Sequence, residues 1–106
     1  MTEQEFQQQC ERTLTAIEDA IDACAADVQT SRSGQVLELE FDDGSKIIVN
    51  GNAPVREVWV AARSGGFHYR WTDGCWRDSR SGEELFASLS RLVSLQGGQA
   101  VVLRCD

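Results

Sequence analysis

The segment VREVWVAARSGGFHYRW, residues 55–71, decides the fold. Its apolar residues recur every second position, which is the period of a strand. Over 55–62, Val58, Val60 and Ala62 share one face, and Glu57, Trp59 and Ala61 share the other. Gly65-Gly66 reads as a turn. In the strand expected over 67–71, Phe67, Tyr69 and Trp71 oppose His68 and Arg70. Two consecutive strands, each with one wholly apolar face, predict an antiparallel pair covered on one side and open to water on the other. Trp59, His68 and Arg70 fall on the open side. A tryptophan there reads either as a docking anchor or as cover for aliphatic neighbours such as Ile48.

The same period extends in both directions. VLELEF (36–41) alternates Leu37, Leu39 and Phe41 with Glu38 and Glu40. Asp43-Gly44 is a hairpin signal, and KIIVN (46–50) is its partner strand. GNAP (51–54) holds the only proline and interrupts the pattern. Asp73-Gly74 turns the chain into a short strand, CWRD (75–78). A weaker strand is expected around Val28–Arg32. Short turns between consecutive strands make a meander.

Helices flank it. Thr2-Glu3-Gln4-Glu5 is a capping box. Behind it Phe6, Cys10, Leu14, Ile17, Ile21 and Cys24 form one apolar stripe within about 80° of the helix surface. Ser81-x-x-Glu84 reads as a second capping box, opening a helix faced by Leu85, Phe86, Leu89, Leu92 and Val93 and ended by Gly97-Gly98. AVVL (100–103) is a last short strand or an extended tail packed on the core. The expectation is one α+β domain over residues 1–106, a two-layer sandwich of two helices on one face of an antiparallel sheet.

Composition is that of a globular protein, 42% hydrophobic and 25% charged. No apolar run is long enough for a helical membrane span. The start, MTEQEFQQQC, is too acidic and polar for a secretory signal. Cytoplasmic localisation is the expectation. Cys10, Cys24, Cys75 and Cys105 match no zinc spacing and read as free thiols that behave as small hydrophobes. His68 is the only histidine, with no triad partner in sight, and no phosphate or dinucleotide loop is present. No catalytic residues are assigned, and the chain is read as a non-enzyme.

Charge carries the functional signal. Residues 1–27 contain seven acids and one base, Arg12, which leaves −6 of the net −7 on the first helix and its exit. So acidic a chain argues against nucleic acid and for cations or a basic protein surface as partners. Glu11, Glu18 and Asp22 fall in a second helical stripe, about a right angle from the apolar one, with Asp19 further round. No base stands four residues from them, and acids near a helix C-terminus oppose its dipole. Carboxylates are hard ligands for hard cations, bound openly and with little discrimination. The competing reading is a solvated face that only confers solubility.

Together these segments resemble the frataxin family of the bacterial type. The resemblance lies in IEDAID (17–22), FDDGSKIIVN (41–50), NAPVREVWVA (52–61), GGFHYRW (65–71) and WRDSRSGEELFASL (76–89), spread over nearly the whole chain. It implies the same two-layer sandwich and weak, reversible binding of iron, Fe²⁺ or Fe³⁺. It also implies a role in iron–sulfur cluster assembly, as iron carrier or as regulator, in contact with the cysteine desulfurase and its scaffold protein. By position, Glu11, Glu18, Asp19, Asp22 and Asp27 correspond to the family's acidic metal ridge. Trp59 corresponds to the family's exposed sheet tryptophan used in partner docking, and the partner-binding surface is expected to include Glu18, Asp19, Asp22, Glu57, Trp59 and His68. Two departures stand out. Val28-Gln29-Thr30-Ser31-Arg32 replaces further acids on the first strand, and Asn52 and Glu57 stand where the family often has glutamine. No membrane contact is expected, and the expected state is a monomer that iron could drive into oligomers. Two alternatives stay open: an interaction module whose metal binding is incidental, and a ferroxidase-type protein that oxidises or stores iron.

Overall fold

The computed structural model describes residues 1–24 and 27–104. Helix α1 (Glu3–Ala23) is followed by strands β1 (Val28–Ser33), β2 (Val36–Phe41), β3 (Lys46–Asn52), β4 (Glu57–Ala62), β5 (Gly65–Thr72) and β6 (Cys75–Asp78), then helix α2 (Leu85–Gly97). The strands pair in sequence order as one six-stranded antiparallel sheet. Both helices pack on one face of it, as the alternation predicts.

The first capping box forms. Thr2 Oγ1 accepts from the Glu5 N–H at 3.1 Å, and the Thr2 N–H donates to Glu5 Oε1 at 2.7 Å. The apolar stripe of α1 is buried from Phe6 to Ile21, and Cys24 is half-buried at the cap. It meets the inward residues of the sheet: Leu37, Leu39 and Phe41 of β2, Ile47 and Val49 of β3, Val58 and Val60 of β4, Tyr69 of β5 and Trp76 of β6. Ala62, Phe67 and Trp71 pack against that core from its margins. At Gly51 the inward position of β3 is vacant, and Cys10 fills it. A Cβ built there would lie 2.5 Å from Cys10 Sγ, so the glycine lets α1 settle onto the sheet.

Several boundaries differ from the sequence expectation. β3 runs on through Gly51 and Asn52, which pair with Val58 and Glu57, and Gly65-Gly66, read as a turn, opens β5 opposite Ala62 and Ala61. Residues 53–55 form a single 3₁₀ turn closed by Arg56 in the left-handed region (φ 55°), so β4 begins at Glu57 rather than at 55. The second capping box does not form. Glu84, not Ser81, caps α2, accepting from the Phe86 and Ala87 N–H groups at 2.8 and 3.2 Å. The physical reason is a bridge from Arg77 to Glu84, which holds that stretch extended beside β6. The weakly patterned first strand is real and spans the full edge of the sheet, Val28 opposite Phe41 to Ser33 opposite Val36.

The tail is extended rather than a strand. Val101 and Leu103 are buried against the helices. Their N–H groups donate to Ser94 Oγ and Ser90 Oγ, both at 2.8 Å, one helical turn apart on α2. Gly98 (φ 69°) turns the chain back for this return. Cys105 lies outside the described residues.

Candidate functional site

The acidic edge is built on α1. Its stripe faces the sheet edge at β1, and the last turn holds no base. The five acids that the sequence groups together do not converge. Glu11 and Glu18 are both clamped by Arg32 of β1, Glu18 at 2.9 Å. Asp22 is exposed and has no ion-pair partner among the described residues. Asp19, also exposed, lines a shallow depression with Glu11, Arg12, Ala16, Cys24 and Arg104, beyond the reach of the Arg32 clamp. Asp27 belongs to a third neighbourhood, with Asp42 and Asp43 of the β2–β3 turn. Among the described residues no three histidine, cysteine or carboxylate groups are placed to hold one ion. Oxygen donors, exposed and spread out, suit weak and open cation binding rather than a cage. The picture of a wholly uncompensated ridge needs one correction. No base stands at i+4, but Arg32 supplies a counter-charge from the neighbouring strand.

The open sheet face holds a second feature. The register pairs Glu57 with Arg70, Trp59 with His68, and Arg70 with Arg77. The indole of Trp59 stacks on the His68 imidazole, with ring centroids 4.4 Å apart and planes 11° from parallel. Trp59 Nε1 donates to Glu57 Oε1 at 2.8 Å, and Arg70 Nε donates to Glu57 Oε2 at 2.7 Å. The Arg70 guanidinium and then the Trp59 N–H hold the Glu57 carboxyl below the usual carboxylate range. Glu57 is only 8% exposed although its strand position faces outward, because Trp59 and Arg70 cover it. It orients the tryptophan instead of presenting a free charge.

Across this face charge changes sign. Glu38 and Glu40 stand on β2, with Lys46 on β3 bonded to Glu38 at 3.0 Å. Ile48, Asn50 and Trp59 occupy the middle, and His68, Arg70 and Arg77 the β5–β6 end. Alternation places each of these side chains on the open face. Sequence reasoning did not single out Arg70 and Arg77 as a pair, because their adjacency depends on the register between two strands.

A two-layer α+β frame with an acidic helix edge and a stacked tryptophan on its open face defines the class, and comparison with known proteins agrees. The model of the frataxin-like domain matches residues 1–99. The chain is 55% identical to the iron–sulfur cluster assembly protein CyaY of Janthinobacterium sp. (strain Marseille), covering 98% of this chain and 97% of that one. It is 50% identical to the CyaY of Paraburkholderia xenovorans (strain LB400), covering 95% and 96%. Among solved structures, frataxin from Psychromonas ingrahamii superposes with a TM-score of 0.92 at 35% identity, over 98% of this chain and 99% of that one. Trimeric yeast frataxin, solved in complex with ferrous iron, shares the fold at 21% identity and a TM-score of 0.68, over 90% and 87%.

The chain belongs to the frataxin family. Within it, the chain groups with the bacterial CyaY-type proteins of iron–sulfur cluster assembly.

Proposed function

We propose that this protein is an iron-binding accessory factor of iron–sulfur cluster assembly, which delivers iron to the cysteine desulfurase and its scaffold or regulates the desulfurase. The observation that carries this reading is the −6 concentrated in residues 1–27, with Asp19 and Asp22 exposed near a helix end that holds no base. A cation or a basic protein surface bound there would relieve both like-charge repulsion and the clash with the dipole. Iron and a basic desulfurase patch would draw on the same carboxylates, so each changes the affinity for the other.

The test is the triple variant Glu18→Gln, Asp19→Asn, Asp22→Asn. It should weaken binding of both Fe²⁺ and the desulfurase while leaving the fold intact. Unchanged titrations for both would sink the reading. Continued turnover of Fe²⁺ by oxygen, beyond one equivalent per site, would replace an accessory role with an enzymatic one.

The sheet face supports a second contact. A half-buried tryptophan stacked on His68, with Arg70 bonded to the same glutamate, Glu57, suits an interface anchor with charged neighbours. We assign scaffold docking to Trp59 and His68, with Glu57 as the group that positions the indole. Loss of scaffold binding in Trp59→Ala with retained iron binding would separate this surface from α1.

A further inference from the structure

Arg32 is the base that meets the ridge. It sits on the edge strand β1 opposite Leu37, so its side chain turns toward the helix layer. Its Nη1 donates to Glu18 Oε1 at 2.9 Å and to Thr15 Oγ1 at 3.0 Å. Its Nη2 donates to Glu11, and its Nε donates to the Gly34 carbonyl at 3.3 Å. The Arg32 side chain is only 17% exposed, against 28% for Glu18 and 62% for Glu11. Every N–H-bearing nitrogen of the guanidinium thus has an acceptor on α1 or on its own turn. A planar, always-charged fork held on several acceptors is a pre-organised counter-ion.

We propose that Arg32 is a built-in competitor for the cation surface, and that a metal ion reaches Glu11 and Glu18 only by displacing its guanidinium. The inference rests on the reading of the α1 carboxylates as that surface. In the unloaded protein Glu11 and Glu18 already have a positive partner. The first ion therefore goes to the exposed, unclamped acids Asp19 and Asp22. Occupation of Glu11 and Glu18 must break the Arg32 bonds first, so the acid count overstates the affinity and capacity of the ridge. It also couples the loads on α1 to the order of β1, since a displaced Arg32 is released into solvent at the sheet edge.

The probe is Fe²⁺ under anaerobic conditions, followed by amide-resolved NMR and calorimetry on the full chain. The proteins compared are wild type, Arg32→Gln and Arg12→Gln. Arg12 is an exposed base on the same helix without an ion pair among the described residues, so its variant changes net charge equally. Arg32→Gln should tighten iron binding by roughly five- to tenfold, the order expected on removing one like charge a few ångströms from an ion. It should also extend paramagnetic broadening to Glu11, Thr15 and Glu18; Arg12→Gln should do less of the first and none of the second. The Arg32 Nε–Hε resonance of wild type gives a reading that needs no variant, and it should move toward the free-arginine position late in the titration. If wild type broadens along α1 but Arg32→Gln matches Arg12→Gln in both affinity and pattern, the competitor role is overturned and the ridge stands. If neither wild type nor Arg32→Gln broadens anywhere on α1, both fall together.

Discussion

Replacing Gly51 by alanine tests how closely α1 is seated. The added Cβ would lie 2.5 Å from Cys10 Sγ, 3.0 Å from Gln35 Oε1 and 3.5 Å from Phe6 Cε2. The last contact is ordinary, and the amide end of Gln35 can swing aside. The sulfur cannot, because Cys10 is fully buried on a helix held by neighbours on both sides. A separation about 1 Å inside the usual range of roughly 3.5–4.0 Å forces α1 to rise from the sheet. Overpacking of this kind costs about 1–3 kcal/mol. Removing a glycine from the unfolded ensemble returns only about 0.4–1 kcal/mol, so the clash wins. Urea unfolding followed by circular dichroism should show a lower midpoint at unchanged slope. Cys10→Ala in the same chain removes the obstructing atom. The double variant should then recover at least about 1 kcal/mol relative to the sum of the two single changes. Additivity within about 0.5 kcal/mol would show that Cys10 does not meet the new methyl group, and the account of the seat would be wrong.

Three more expectations follow from the same contacts. Trp76 Nε1 donates to Thr13 Oγ1 at 2.8 Å in the core, and Thr13 donates to the Gln9 carbonyl at 2.7 Å, so Thr13→Val strands a buried indole N–H. It should cost about 1–3 kcal/mol in chemical unfolding, whereas a change within error would mean that water takes over the bond. Burial raises the Cys10 thiol from the usual value near 9 to about 11 and the Tyr69 phenol from near 10 to about 12. Both groups hold their proton more tightly when folded, so their contribution is complete below pH 9 and is lost as pH rises through 9 to 12. Melting temperature should fall over that window, and Cys10→Ala should remove the earlier part of the fall; an unchanged profile in the variant would count against it. Glu57→Ala deletes the acceptor for both the Trp59 N–H and Arg70 and should release the indole from its stack. Tryptophan fluorescence should become redder and scaffold binding weaker, while Glu57→Gln, which keeps an acceptor for the indole, should retain more of both; equal behaviour of the two would refute a positioning role.

The layers were legible because each strand repeats every second residue and each helix about every 3.6. Phe6 to Ile21, Val58 and Val60, and Tyr69 are buried on the faces that alternation assigns to them. The start of α2 misled because a contact outside the helix sets it. Ser81 and Glu84 have capping-box spacing, but the Arg77–Glu84 bridge is a tertiary contact that spacing does not report. The serines that hold the tail, Ser90 and Ser94, looked like neutral helix residues until Val101 and Leu103 came back beside them. The site divides in the same way. The acid content of α1 is a property of the sequence, and so is the outward side of Trp59. The Arg32 clamp and the near-burial of Glu57 depend on which strand lies against which, and a single chain of letters does not carry that information.

The central claim is that iron meets this protein on the carboxylates of α1. An anaerobic Fe²⁺ titration of the wild-type chain, read amide by amide, tests it most directly. The account predicts that broadening begins at residues 18–23, around Asp19 and Asp22, and leaves Trp59, His68 and Arg70 sharp. Broadening that begins on the sheet face or at the β2–β3 turn, with α1 unaffected, would contradict it.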